Sequence, residues 1–239
     1  MLSTWGIVRR ELASYFNSPA AYIVMGFFLL MLGYSLFSRL FLDGLASMQP
    51  FFTTGSMLLV VFAPAITMRS IAEEKKTGTI EMLLTLPISD GKVVVGKFLA
   101  ALILVMIGLL FTSMHLITVA KLAAPGMSMD LGPVAGGYIG LLLLAGAFLS
   151  IGMLASSLTS NQIVAFIIGL VSCFFLYFID KLAIFLPLQW GSLLQYLSAD
   201  YHFGNITRGV IDSRDVIYYI CLIWIGLALT QRSLQAARA

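Results

Sequence analysis

Residues 93–119 read VVVGKFLAALILVMIGLLFTSMHLITV, a run whose ionisable groups are Lys97 near its start and His115 near its end. A helix rises 1.5 Å per residue, so a run of this length crosses an apolar layer roughly 30 Å thick. Working outward, comparable apolar stretches occupy Ala20 to Leu42, Phe51 to Met68, Val134 to Leu154, Ile163 to Ile179 and Val216 to Leu229. The whole chain of 239 residues is 60% hydrophobic and 10% charged, with a mean hydropathy of +0.99. That composition belongs in lipid, and predicts an all-α integral membrane protein with six transmembrane helices in a single membrane domain.

The connections carry the remaining information. Trp5, Val8, Leu12 and Tyr15 recur at three- and four-residue steps, with Arg9, Arg10 and Ser14 elsewhere, which predicts an N-terminal amphipathic interfacial helix within residues 1–18. Asn17, Ser18 and Pro19 end it and start the first span. The first span lacks a small-x-small cleavage site, so no removed signal peptide is expected. Pro64 permits a kink near the end of the second span. Residues 182–214 are of mixed character and precede the last span.

Cation placement sets the orientation. Arg9, Arg10, Arg69, Lys75, Lys76, Lys92, Lys97, Arg232 and Arg238, nine in all, fall on one side; Arg39, Lys121, Lys181, Arg208 and Arg214, five, fall on the other. Both termini and the charged segment 69–91 are therefore expected in the cytoplasm. Trp190, Tyr196, Tyr201, Tyr218 and Tyr219 then gather at the outer interface, as amphipathic rings should.

Several chemistries find no support. Gly91-Lys92 and Gly96-Lys97 are each followed by apolar residues and lack the upstream glycine of a phosphate-cradling loop, so this chain is not expected to hydrolyse ATP or to bind any cofactor itself. No HExxH or GxSxG string occurs. Cys173 and Cys221 stand alone in apolar segments and read as packing residues rather than redox or metal groups. His115 reads as a hydrogen-bonded core residue rather than a proton relay, and the scarcity of charge inside the spans counts against an ion-coupled carrier. Gly136, Gly140 and Gly146 read as a close helix-packing face. Nucleic acid is not an expected partner.

The densest charged stretch runs RSIAEEKKTGTIEMLLTLPI from Arg69 to Ile88. Residues 69–76 continue the second span as a charged turn or two, Gly78 supplies a left-handed cap, and Thr79 caps a new short helix that ends at Pro87. A solvated helix extension with a loop is the plain reading. A lever for a soluble motor is the other.

The string Glu73-Glu74, Gly78-Thr79, Glu81, Leu83-Leu84 and Pro87-Ile88 resembles the coupling segment of ABC-2 type permeases, EExxxGTxExLLxxPI. The turn Ala155 to Gln162 is similar to a second cytoplasmic turn of that family, and His202-Phe203 with Arg208 to Asp212 resembles its outer stretch. Length and these strings look most like the gliding-motility-associated, GldF-like branch. The resemblance implies a permease subunit of an ATP-binding cassette transporter in a bacterial inner membrane, with a cytoplasmic coupling helix and outer re-entrant helices before the last span. It further implies a pair of separate ATPase subunits that bind ATP and Mg, a second permease half, and an extracytoplasmic partner. Carried over by position, Glu73, Glu74, Gly78, Thr79, Glu81, Leu83, Leu84 and Pro87 contact the ATPase. Ser156, Ser157, Asn161 and Gln162 form a second cytoplasmic contact, and His202, Phe203, Arg208 and Asp212 an outer contact or gate. The alternative is a non-transporting scaffold that transmits ATP-driven motion to an outer partner.

Overall fold

The computed structural model describes residues 4–43, 47–79, 89–122, 130–185, 187–210 and 212–236. Among these residues every regular element is helical: α1 (Thr4–Phe16), α2 (Pro19–Asp43), α3 (Gln49–Thr67), α4 (Ala72–Lys76), α5 (Asp90–Thr112), α6 (Met114–Leu122), α7 (Leu131–Ser157), α8 (Gln162–Phe178), a 3-10 segment (Ile179–Phe185), α9 (Leu188–Leu197), α10 (Ala199–Ile206) and α11 (Ser213–Ala236). Six candidate spans result, with α4 continuing α3 and α6 continuing α5.

The apolar runs mark the spans, and polar caps extend them. Asp130 accepts from the Gly132 amide at 3.0 Å to start α7, and Asn161 accepts from the Ile163 amide at 2.9 Å to start α8. Two runs break where side chains compete for backbone. At the end of α5, Thr112 and Ser113 donate to the Leu109 and Leu110 carbonyls at 2.6 and 2.7 Å, and the helix restarts at Met114. Residues 93–119 therefore form two helices rather than one. At the end of α3, Pro64 brings no amide and Thr67 donates back to the Ala63 carbonyl at 2.9 Å, so the charged continuation is offset as α4.

The centre of the bundle is α7, 72% of whose most apolar window is buried, against 17% for α2. Its glycines explain the position. A Cβ on Gly136 would collide with the Ile206 carbonyl oxygen of α10, one on Gly140 would crowd the Phe203 ring at 3.1 Å, and one on Gly146 would meet Ile223 of α11 at 2.9 Å. The expected packing face thus serves contacts within the subunit. Cys173 is buried against α7, and Cys221 is exposed on α11.

The chain reverses between two ends. Residues 68–79, the end of α7 and the end of α11 meet α1 and the start of α5 at one, called here the near end. There a Cβ added to Gly91 would come within 3.0 Å of the Gln231 side chain, and Ser233 donates to the Ser157 carbonyl at 3.1 Å. Helices α9 and α10 fold over the opposite, far end. The tyrosines expected as a surface belt partly turn inward there: Tyr219 is fully buried and donates to the Ala199 carbonyl at 2.7 Å. His115 also departs from expectation. It stands edge-on to Phe37 and Phe51 at 5.6 and 6.4 Å, with no hydrogen bond among the described residues, and so packs as a ring.

Candidate functional site at the near end

The centre of this site is Lys97, in the second turn of α5, about 10 Å along the helix from its start. Its side chain is only 3% exposed. An ammonium has three protons to donate, and three acceptors from three elements meet them: Glu11 Oε1 of α1 at 3.0 Å, Glu74 Oε1 of α4 at 2.8 Å and the Ser70 carbonyl at 2.9 Å. A lysine this deep is tolerable because every donor is satisfied and two carboxylates compensate its charge.

That bond set also fixes α1. Val8, Glu11 and Tyr15 form its inward face, while Trp5 is 67% exposed and points away. Burial, and then the Glu11 carboxylate, push the Tyr15 phenol above its ordinary range, so it stays a neutral donor to the Ile66 carbonyl at 3.5 Å. The apolar side of α1 is therefore interrupted by an ion-paired carboxylate, which periodicity alone passes over.

Ser156 ties the offset between α3 and α4 to the central helix. Its hydroxyl oxygen accepts from the Ile71 and Ala72 amides at 3.1 and 3.0 Å and donates to the Met68 carbonyl at 3.0 Å. Lys75 Nζ donates to the Ser157 carbonyl. The two strings read from the sequence as motor contacts thus meet, through Ser156 and the Ser157 backbone. Asn161 caps α8, and Gln162 is that helix's first residue.

Of the residues assigned to the ATPase contact, Glu74 turns inward to Lys97, whereas Glu73, Gly78 and Thr79 lie toward the surface. Glu73 pairs with Arg69 at 3.5 Å with both side chains nearly half exposed. Gly78 has φ +71°, the left-handed cap its position called for. Thr79 Oγ1 lies 2.9 Å from Thr77 Oγ1 and reaches back to the Glu74 carbonyl. Glu81, Leu83, Leu84 and Pro87 lie outside the described residues.

At the far end, His202 and Phe203 are interior. His202 Nδ1 is 2.6 Å from Asp215 Oδ1, its Nε2 is 2.9 Å from the Tyr196 carbonyl oxygen, and its ring stacks on Tyr218 at 4.0 Å. Both ring nitrogens face oxygen atoms, one of a carboxylate and one of a backbone carbonyl. Phe203 packs on Gly140. Arg208 is exposed, and Asp212 Oδ1 accepts from the Arg214 amide at 2.9 Å, capping α11. The Asp215 partner of His202 escaped sequence reading because their spacing follows no helical period. Among the described residues no group of His, Cys, Asp and Glu is placed to hold a metal ion.

This is a multi-pass, all-helical membrane component with a braced charged segment at one end of its bundle. Residues 11–207 match the family model described as ABC-2 family transporter protein, so the chain belongs to that family, the membrane components of ABC transporters, which work with an ABC ATPase. No individually curated protein matches it.

Proposed function

We propose that this chain is the permease subunit that couples ATP hydrolysis on a separate ATPase pair, where ATP and Mg bind, to export across a bacterial inner membrane. One observation carries the reading. The segment after α3 is bound through Lys97 to α1 and α5 and through Ser156 to α7, so a displacement applied at residues 77–79 is passed to several spans at once. Glu73, Gly78 and Thr79 offer the motor a surface, Glu74 anchors it, and Glu81, Leu83, Leu84 and Pro87 complete the contact. Ser156 to Gln162 form the second contact.

The near end is cytoplasmic in this reading, on the strength of its excess of Lys and Arg. A second permease half meets α2 and α8, whose flanks carry exposed apolar residues such as Phe27, Leu30, Ile167 and Val171. The three sequence strings favour the GldF-like branch, and with it an extracytoplasmic partner at the far end, met by Arg208 and Asp212 and braced from within by His202 and Phe203.

The test is purification of the full chain in mild detergent from its native membrane, with ATPase activity measured on the product. Co-purification of an ATPase, and its loss on Glu73→Lys or Glu81→Lys, is expected. An ATPase that never co-purifies, or charge reversals that leave binding intact, would overturn the proposal.

A further inference from the structure

Beside the Lys97 cluster lies a cavity of about 270 Å³, close to the lower end of small-molecule pockets, roughly 300 to 1,000 Å³. Its lining changes character with depth. Val24, Met25, Phe28, Phe62, Leu104 and Val105 make an apolar floor between α2, α3 and α5, whereas Arg10, Arg69, Ser70 and Glu73 stand at the rim with the ion cluster of Lys97, Glu11 and Glu74. A small polar solute would leave the floor unmatched, and a plain hydrocarbon would leave the rim unmatched. An amphiphile satisfies both.

Two observations narrow it further. Ser70 is 8% exposed, lines the cavity, and its hydroxyl has no hydrogen-bond partner among the described residues. A buried hydroxyl left unmade costs free energy, so an acceptor brought by a bound molecule would be favourable there. The rim charges also balance: Arg10, Arg69 and Lys97 against Glu11, Glu73 and Glu74. Cation and carboxylate stand side by side at Arg69 and Glu73, 3.5 Å apart. A headgroup carrying only negative charge would pair with the arginines and face an unneutralised Glu73. One carrying both a phosphate and an ammonium answers both.

We propose that this cavity binds one zwitterionic aminophospholipid from the leaflet at the near end, with its phosphate between Arg10 and Arg69, its ammonium at Glu73, an oxygen acceptor on Ser70, and one acyl chain entering past Phe28 and Phe62. The volume holds the headgroup region and the first part of that chain, and the remainder extends from the cavity into the bilayer. Thr77 and Thr79 also line the cavity, so the lipid touches α1 and the segment after α4 together. The site requires only that the near end lie at headgroup depth and stands whether or not an ATPase docks there.

The test is native mass spectrometry of the full chain in nonionic detergent, titrated in parallel with palmitoyl-oleoyl phosphatidylethanolamine, the matching phosphatidylglycerol and inorganic phosphate. One saturable phosphatidylethanolamine is expected, bound about tenfold more tightly than phosphatidylglycerol, with no adduct from phosphate alone. Ser70→Ala removes a hydrogen bond to a charged group, which weakens binding by roughly tenfold or more. Ala65→Phe plugs the cavity and abolishes the adduct, while the melting temperature of each lipid-free variant reports its folding. Phosphatidylglycerol binding as tightly as phosphatidylethanolamine, phosphate binding alone, or adducts equal in the parent and a folded Ser70→Ala chain, as annular lipid would give, overturns the proposal.

Discussion

Replacing Lys97 by methionine removes the buried cation that Glu11 and Glu74 share. The aliphatic stem is nearly preserved, so packing changes little and the electrostatic loss dominates. Removing one member of a buried ion pair costs about 3–5 kcal/mol, because the charge left behind stays desolvated. Glu11 and Glu74 each retain 16% exposure, enough for partial hydration, which places the loss near 3 kcal/mol, the lower bound of about 3–5. For a chain of this size, roughly 2–4 °C per kcal/mol gives a fall in melting temperature of about 6–12 °C. The assay is thermal unfolding of the detergent-solubilised chain, followed by intrinsic fluorescence. Glu74→Gln should fall by less, since Lys97 keeps Glu11 and the Ser70 carbonyl. The triple variant Lys97→Met, Glu11→Gln, Glu74→Gln should recover much of the loss, because neutral groups replace the whole buried set. A Lys97→Met chain melting within about 2 °C of the parent, or a triple variant melting below the single, would refute the view that this cluster holds the near end together.

Ser156→Ala strands the Ile71 and Ala72 amides, and should destabilise by about 2–4 kcal/mol with faster hydrogen exchange confined to residues 68–76 and their neighbours on α7. Gly136→Ala pushes a methyl into the Ile206 carbonyl and should cost about 1–3 kcal/mol of overpacking, read by thermal unfolding. Gly204→Ala on α10 meets nothing within 4 Å and should be neutral or stabilising by up to about 1 kcal/mol in the same assay. His202→Ala leaves the Asp215 carboxylate 3% exposed with Asn205 as its remaining side-chain donor, and should lower stability by about 3 kcal/mol or more; limited proteolysis near residues 207–214 would report the loosened far end.

Much of this architecture was written in composition and period. The apolar runs became candidate spans, with 93–119 broken at Ser113 and the last run extended to Ala236, because backbone in a bilayer must satisfy its own hydrogen bonds and a helix does so locally. Gly78 was legible for the same reason, since a left-handed cap is a one-residue property. The break at Ser113 was not, because it depends on two successive hydroxyls choosing backbone carbonyls over solvent. The charged segment was legible as a segment. Its individual roles were not: Glu73 and Glu74 are neighbours of one residue type, yet one faces outward to Arg69 and the other inward to Lys97.

By itself, then, the sequence determined that this chain lives in lipid, how many times its helices can cross, and which stretch carries its charge. These are sums over local contributions, namely transfer free energy per residue, cation placement and turn chemistry. Only the tertiary structure decided that Lys97, separated from Glu11 by 86 positions and from Glu74 by 23, is the fastening of three elements rather than one more cation at a span end. It likewise decided that Ser156 closes the gap between α3 and α4 and that an amphipathic cavity opens beside both. Such contacts arise from distant residues sharing a buried place, where unmet charges and amides are costly, and no local pattern records which partner will meet them.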